Sequence, residues 1–324
     1  MSLQRSNKPI DAVVTWVDGS DPLHQQKLEA HLGLRAKRRP KVAAKTRYAN
    51  VGEIDYCVAS LFRFAPWLRH IFVVTDQQSP RFLESLDTET RTRVSLVDHT
   101  SIFHGHTDSL PTFNSLSIET MLWRIPGLAD NFIYFNDDCF LVKSVEPEDF
   151  FDDNGVVLRG TLRPIVRQAA IKKLKRLAGA GRPTRRNLQS EAAEMAGLKE
   201  EFLDVGHVPH PMRVSTLRNY FDAHSEQLQE NASYPLRNVR QFWTIALANH
   251  LELRERTARI SQAPEALYLG SSDLGDTDRL LAAENNPDCK FLCAQSLDNA
   301  SDTFLDFWRD WMDRIVGRTP RAAS

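Results

Sequence analysis

The stretch NFIYFNDDCFLV, residues 131–142, sets an aromatic and β-branched run around two adjacent acids. Such a run is typical of a buried strand, and Asn136, Asp137 and Asp138 interrupt it. Neighbouring carboxylates at the end of an apolar strand repel each other and lose solvation unless a cation or donor lies between them. Hard oxygen ligands favour Mg²⁺ or Mn²⁺, which also bridge diphosphate oxygens, so the stretch predicts a metal site at Asp137 and Asp138. An exposed Asx turn between two short strands is the alternative.

Three upstream runs have a similar form and are read as strands: IDAVVTWV (10–17), HIFVVTD (70–76) and VSLVDH (94–99). Each run carries or precedes an acid at its end, and segment 53–64 has apolar residues at helical spacing. This alternation predicts an α/β fold with a mostly parallel sheet flanked by helices. Ligands of such sheets bind beyond the carboxyl ends of the strands, so the acids predict one polar cleft.

The remaining patterns predict the organisation of the whole chain. We expect a nucleotide-sugar-binding α/β core over residues 1–160, a basic helical insertion over 161–205 and a helical C-terminal part over 206–324 that completes the active site. Helices are expected at about 22–34, 190–202, 213–230 and 239–256. The tail TFLDFWRDWMDRIV is expected to be an amphipathic helix that docks on the core rather than on a membrane.

Composition narrows the class of protein. A chain of 324 residues with 42% hydrophobic residues can bury a large core, and a net charge of -1 argues against a general nucleic-acid binder. The sequence shows neither a signal-peptide run nor an apolar stretch of membrane-spanning length. We therefore expect a cytoplasmic protein, with peripheral contact at the inner face of the membrane as a further option.

A strongly basic segment runs from Arg163 to Arg186. It has two interpretations: a solvated helical face, or a surface for acidic lipid headgroups or an anionic glycan. It lacks the interleaved aromatic residues that nucleic-acid binding would require. The segment contains the cations Arg163, Arg167, Lys172, Lys173, Lys175, Arg176, Arg182, Arg185 and Arg186.

Three further positions are candidates for substrate binding or catalysis, each with a structural alternative. Asp18 and Asp21 follow the first strand in a Gly-containing turn, where a nucleobase or ribose is often held, although a plain turn explains them equally. The segment GHVPHP places His207 near His210, and a histidine close to a held diphosphate could take a proton from a hydroxyl. Arg237 could bind phosphate with its planar fork or lie on the surface.

Read together, these segments resemble the Stealth family, which includes bacterial capsular polysaccharide phosphotransferases and the α/β subunit of the animal N-acetylglucosamine-1-phosphotransferase. The resemblance rests on five stretches in order, the last of them looser: IDAVVTWVDGSDP, RYANVGEIDYCVASLFRFAPWLRHIFVVTDQQSP, LPTFNSLSIETMLWRIPGLADNFIYFNDDCFL, GHVPHPM with PLRNVRQFW, and FLCAQSLDNASD.

The resemblance implies a GT-A-like (Rossmann-like) fold and a role for each matching position. It implies that Asp18 and Asp21 line the nucleotide end, and that Asn136, Asp137 and Asp138 hold the metal and diphosphate. His207 and Arg237 would complete the reacting centre. The remaining matching positions, which would orient the cleft or contact substrate, are Arg47, Asn114, Glu119 and His210.

The resulting hypothesis is transfer of hexose 1-phosphate from a UDP-hexose-like donor to a glycan hydroxyl, with Mg²⁺ or Mn²⁺ at the acids and release of UMP. The base would be His207 or Asp137. A metal-dependent glycosyltransferase that attacks the anomeric carbon and releases UDP is the nearest alternative. A non-catalytic protein that holds an anionic glycan or membrane through the basic segment is the second alternative.

Overall fold

The computed structural model describes residues 8–33, 40–165, 184–261 and 266–319. Its strands are β1 Ile10–Thr15, β2 Ile71–Thr75, β3 Val94–Asp98, β4 Asn131–Asn136, β5 Cys139–Leu141, β6 Phe151–Asp152, β7 Gly155–Arg159, β8 Thr161–Pro164, β9 Glu201–Asp204, β10 His210–Arg213, β11 Ala258–Ser261, β12 Ala266–Leu269 and β13 Phe291–Ala294. Its helices are α1 Pro22–Leu32, α2 Glu53–Phe64, α3 Phe82–Ser85, α4 Thr88–Thr92, α5 His99–Ile102, α6 Ser115–Met121, α7 Arg185–Met195, α8 Val214–Ala223, α9 Ser225–Ala232, α10 Thr244–Arg254, α11 Thr277–Asn285 and α12 Asp302–Ile315.

The central sheet has the strand order β10-β4-β1-β2-β3. Strands β4, β1, β2 and β3 are parallel, and β10 joins the β4 edge antiparallel. Parallel strands need crossover connections and are covered on both faces, which is why their sequences read as near-continuous apolar runs. The predicted α/β fold with a mostly parallel sheet is confirmed.

The interrupted stretch 131–142 connects two sheets. Strand β4 ends at Asn136, and β5 begins at Cys139 in a second sheet with the order β12-β13-β5. The backbone N–H of Ala294, at the end of β13, donates to the carbonyl of Asp138 at 3.0 Å. The two acids therefore lie where the chain passes from the central sheet to the second sheet.

The strand alternation divides the core into two clusters. Along β1, Ala12 and Val14 belong to one cluster and Val13 to the other; along β4, Ile133 and Phe132 divide in the same way. Successive side chains of a strand point to opposite faces, so the sheet carries a core on each side.

The C-terminal helix docks on the core, as predicted from its aromatic face. Phe304, Trp308 and Trp311 of α12 are buried in the first cluster. In the part of the chain that the structure describes, no helix combines the length and apolar character needed to cross a bilayer.

Several predicted helix bounds differ from the structure. Helix α1 stops at Leu32 because Gly33 takes a left-handed φ of 73°. The helix expected at 213–230 is two helices that break at His224, and the one expected at 239–256 begins only at Thr244.

The later segments also contain strands where a helical architecture was expected. Within 161–205, β8 and β9 pair antiparallel beside α7, and β10 to β13 lie within 206–324. The short run FLCA (291–294) is buried between β12 and β5, and local patterning cannot separate such a strand from a helix segment. Residues 166–183, the middle of the predicted basic insertion, lie outside the described residues.

A buried carboxylate fixes the start of β1. Asp11 is fully buried; its Oδ1 accepts from Arg69 Nε at 2.8 Å, and its Oδ2 accepts from the backbone N–H of Ala129 at 2.7 Å. These bonds join β1 to the turns before β2 and β4.

We expect Asp11→Ala to lower the free energy of unfolding by about 2–3 kcal/mol, because it leaves the Ala129 N–H buried without an acceptor. Urea denaturation measures the change, with Asp153→Ala on an exposed turn as the control. A difference between the two variants below about 0.5 kcal/mol would contradict this role for Asp11.

Candidate functional site

A cavity of about 910 Å³ opens beside the carboxyl ends of the parallel strands. It collects residues that are far apart in the sequence, from the first strand to the segment after β13. The sequence-predicted site residues that line it are Arg47, Glu119, Asn136, Asp137, Asp138, His207, His210 and Arg237. The predicted single polar cleft is therefore present.

Asp137 and Asp138 lie where burial disfavours the charged form of a carboxyl group. Burial and the neighbouring charge of Asp138 raise the pKa of Asp137 well above its usual range. Burial likewise raises the pKa of Asp138 to about 6. The side-chain oxygen of Asn136 accepts from the Tyr134 hydroxyl at 2.7 Å, which fixes that amide beside the acids. A cation bound between the carboxylates would relieve this electrostatic cost.

The possible metal ligands beside these acids include two cysteine thiols as well as carboxylate oxygens. Ligand atoms of Asp138, Cys139 and Cys293 all lie within 4.8 Å of one another. The contact with Cys139 and burial raise the pKa of Cys293 well above its ordinary range, so its thiol stays protonated and is a poor ligand. The carboxylates of Asp137 and Asp138 are thus the better ligands, and they suit Mg²⁺ or Mn²⁺ with further positions left for phosphate or water oxygens.

Two histidines face the cavity and are both neutral near pH 7. Burial and the charges of Arg185 and Arg237 lower the pKa of His207 to about 4, and its ring stacks on Tyr268 with centroids 4.7 Å apart. Its Nδ1 lies 3.4 Å from the side-chain amide nitrogen of Gln295. Burial lowers the pKa of His210 to about 3, because the protonated ring would be desolvated.

A carboxyl group and a guanidinium face each other across the start of α6. Glu119 is buried, and its Oε2 accepts from Trp243 Nε1 at 2.7 Å. Burial raises its pKa to about 7, although the charge of Arg237 opposes the shift. Arg237 Nη2 donates to Ser115 Oγ at 2.8 Å, which holds the guanidinium at the cavity wall. The site therefore combines an acid pair, two neutral imidazoles and a positioned cation.

Three predicted site residues serve local structure and do not line the cavity. Asp21 caps α1, since its Oδ1 accepts from the N–H of His24 at 2.8 Å. Asp18 Oδ1 accepts from the N–H of Ser20 at 2.8 Å in a tight turn. Asn114 caps α6 and donates to Gln241 Oε1 at 2.8 Å, almost wholly buried. Substrate contact by these three residues stays a prediction.

Besides Asp76, one of the strand-end acids expected at this cleft, the cavity contains residues that the sequence analysis did not assign to the site. Asp76 and His99 directly follow β2 and β3, and Glu53 starts α2. The signal for Asp76 and His99 was present, because each lies at the carboxyl end of a predicted parallel strand. Gln295 had no such signal, since only the pairing of β13 with β5 brings it to Asp138.

The described ends of the basic segment carry their own counter-ion. Arg163 and Arg186 approach Asp204 Oδ2 at 2.6 and 3.2 Å, and Arg185 lies 3.7 Å from its Oδ1. Arg185 also lines the cavity. The predicted lipid or glycan contact through Arg167, Lys172, Lys173, Lys175, Arg176 and Arg182 lies outside the described residues.

Family comparisons match the N-terminal half of the chain. The model of Stealth protein conserved region 1 matches residues 8–33, and the model of conserved region 2 matches residues 47–158. These two matches contain β1 to β4 and the acid pair.

Curated relatives carry names from polysaccharide synthesis. The chain is 41% identical over 156 residues to "Capsular polysaccharide phosphotransferase cps1A" of Actinobacillus pleuropneumoniae, covering 48% of this chain and 41% of that protein. It is 36% identical over 256 residues to "Exopolysaccharide phosphotransferase SCO2592" of Streptomyces coelicolor, covering 75% of this chain and 25% of that protein. The chain thus spans less than half the length of these curated relatives.

Among solved structures, the chain is similar to a galactosyltransferase, LgtC, in complex with donor and acceptor sugar analogs. The TM-score is 0.47 at 10% sequence identity, with 97% of this chain and 98% of that chain covered.

Glu119 should make stability depend on pH. Its pKa is about 7 in the folded protein against 4.5 for an ordinary glutamate, so between these values the folded state keeps a proton that the unfolded chain releases. The free energy of unfolding therefore falls as pH rises through this window. We expect Glu119→Gln to remove this decline, so that the variant gains about 1–3 kcal/mol relative to the parent from pH 4.5 to pH 7.

Urea denaturation at a series of pH values measures the free energy of unfolding of the variant and of the parent. The difference between the two proteins at each pH cancels the contribution of the other titrating acids. Glu148→Gln, at an exposed position, is the control. Parallel pH profiles for Glu119→Gln and the parent would contradict the raised pKa.

Proposed function

The chain belongs to the Stealth family by its conserved regions 1 and 2, and on that premise we propose that it is a sugar-phosphate transferase. It moves hexose 1-phosphate from a nucleotide sugar of the UDP-hexose class to a hydroxyl of an acceptor glycan. The product is a phosphodiester linkage of the kind found in capsule or exopolysaccharide chains, and the leaving group is a nucleoside monophosphate. The names of the relatives support the reaction class.

One observation carries the proposal: a single cavity holds Asp137 and Asp138 together with His207 and Arg237. The four residues come from two distant parts of the chain. Phosphoryl transfer depends on positioning and on stabilising charge, and it requires little covalent chemistry from the protein. A carboxylate pair, a neutral imidazole and a fixed guanidinium supply those two needs.

In this reaction the bond that breaks lies between the two phosphates of the donor and not at the anomeric carbon of the sugar. The acceptor oxygen attacks the β-phosphorus, the bond from that phosphorus to the bridging oxygen breaks, and UMP leaves with the bridging oxygen and its electron pair. The bond from the anomeric carbon to its oxygen stays intact, so the anomeric configuration is retained.

His207 takes the proton of the acceptor hydroxyl at Nδ1. This nitrogen faces the Gln295 amide at 3.4 Å, beyond the usual length of a strong hydrogen bond, so a hydroxyl can replace that contact. The lowered pKa keeps the ring neutral near pH 7, so a nitrogen lone pair is free for the proton, although the imidazole is a weaker base than an ordinary histidine. The stack on Tyr268 holds the ring plane in place. Asp137 is the alternative base if its carboxylate is not a metal ligand.

Arg237 binds phosphoryl oxygens with its planar fork, and Ser115 holds the guanidinium in position. Asp137 and Asp138 would hold Mg²⁺ or Mn²⁺, which when bound neutralises negative charge on the diphosphate.

The nucleotide that is liberated tests the proposal. The full chain, incubated with a panel of nucleotide sugars, Mg²⁺ and an acceptor glycan, should release UMP from its donor, as read by mass spectrometry. Asp138→Asn should lose about 100-fold or more in turnover, because one of the charged ligands is gone. Asp153→Asn, on an exposed turn, is the matched control.

Two results would overturn this assignment. Release of UDP would make the protein a glycosyltransferase that attacks the anomeric carbon. Parental turnover by Asp138→Asn would remove the acid pair from the reaction.

A further inference from the structure

Two cysteines lie opposite each other in the second sheet, directly after the acid pair. Strand β13 runs antiparallel to β5, and Cys293 pairs with Cys139. The neighbouring pair is a hydrogen-bonded one, since the N–H of Ala294 donates to the carbonyl of Asp138 at 3.0 Å. Hydrogen-bonded and non-hydrogen-bonded pairs alternate along an antiparallel ladder, and side chains are closest at the non-hydrogen-bonded pairs. The two thiols therefore lie on one face of the sheet at the closest spacing that the ladder offers.

The carboxylate of Asp138 completes a group with these two thiols, which we call the thiol–carboxylate cluster. Its Oδ1 lies 3.6 Å from Sγ of Cys139, and one ligand atom from each of the three residues lies within 4.8 Å of the other two. Zinc bonds of about 2.3 Å to sulfur and about 2.0–2.2 Å to oxygen place the ligand atoms of one ion within about 4.6 Å of one another. The cluster therefore has nearly the dimensions of a three-ligand zinc site.

The cluster can be reached from the cavity through its carboxylate. Cys139 and Cys293 are 2% and 0% exposed, whereas Asp138 lines the cavity. A buried thiol among apolar side chains behaves as a small core residue, so the carboxylate at the cavity wall is what distinguishes this pair. An ion that enters from the cavity meets two sulfurs and one oxygen and keeps a position for water. Three protein ligands with one open position are a common arrangement for zinc.

The chemistry of the ligands selects the class of cation. Mg²⁺ and Mn²⁺ prefer oxygen ligands, whereas thiolate sulfur favours soft cations such as Zn²⁺. A thiol that coordinates a soft cation is deprotonated by it, so thiols that are protonated in the free protein can still bind. Asp138 is thus shared between two possible sites: with Asp137 it suits a hard cation, and with Cys139 and Cys293 it suits a soft one.

Asp138 also connects the cluster to the reacting centre. The side-chain amide of Gln295 interacts with this carboxylate and favours its charged form. The nitrogen of the same amide lies 3.4 Å from Nδ1 of His207. A soft cation on Asp138 would therefore act on the carboxylate that is assigned to Mg²⁺ and on the amide that faces the histidine.

We propose that Asp138, Cys139 and Cys293 bind one soft divalent cation of the zinc class, and that its binding inhibits the transferase. Binding forms two sulfur–metal bonds and one oxygen–metal bond, and the protons of both thiols pass to solvent. The metal site is independent of the proposed function. The inhibition rests on that function, because it acts through a ligand assigned to Mg²⁺.

Titration of the full chain with Cd²⁺, in the presence of a phosphine reductant, tests the site. Cadmium bound by thiolates absorbs in the ultraviolet, and we expect this band to saturate at one ion per chain. Cys139→Ala and Cys293→Ala should each weaken Cd²⁺ binding about 100-fold or more, since the loss of even an outer-shell partner of a ligand costs about 10- to 100-fold. Cys289→Ala, at a buried thiol near Cys293 in the sequence, should bind Cd²⁺ like the parent.

Two measurements on the parent protein do not depend on the folding of the variants. X-ray absorption spectroscopy of the chain loaded with one equivalent of Zn²⁺ should show two sulfur ligands. Zn²⁺ should also inhibit UMP release in the presence of excess Mg²⁺, and a zinc-selective chelator should restore the release.

The outcomes separate the metal site from the proposed function. Bound zinc without sulfur ligands, or parental Cd²⁺ affinity in both Cys139→Ala and Cys293→Ala, would overturn the site. Zinc held by two sulfurs with undiminished UMP release would overturn the inhibition. A parent protein that releases no UMP from any donor would overturn the proposed function, whereas the two spectra would still decide the metal site.

Discussion

The burial of two neighbouring carboxylates is the constraint on which the site depends. Asp137 and Asp138 occupy the short link between β4 and β5, where the chain leaves the central sheet for the second sheet. The link is pinned on both sides, by the Asn136–Tyr134 bond and by the backbone bond from Ala294. These bonds keep the two neighbouring acids at the edge of the cavity, where burial raises the pKa of both.

The residues that complete the site are held by a buried polar network. Asn114 donates to Gln241, and Gln241 Nε2 donates to the Asn231 carbonyl at 2.8 Å, which joins α6, α9 and the segment before α10. This network lies directly behind Ser115 and Arg237. Because buried networks of satisfied hydrogen bonds are rigid, the guanidinium is positioned before any substrate arrives. Asn114 thus supports the site through structure, without lining the cavity.

The order of the parallel strands sets the order in which residues line the cavity. The acid pair lies at the end of β4, Trp16 follows β1, and Asp76 and His99 follow β2 and β3. Strand order therefore explains why residues separated by more than a hundred positions line one cavity.

The sequence by itself determined the parallel strands β1 to β4, the acid pair after β4 and the docking of α12, because each depends on a local pattern of apolar and acidic residues. Tertiary structure alone decided the rest. The strands β10, β11 and β13 are short, and only their pairing with β4, β7 and β5 makes them strands. Asp21 and Asn114 look like ligands in a motif, yet each caps a helix, since a carboxylate or amide binds whichever donors the fold brings near. Gln295 reaches the cavity only through the pairing of β13 with β5, and no local sequence pattern encodes a long-range contact of that kind.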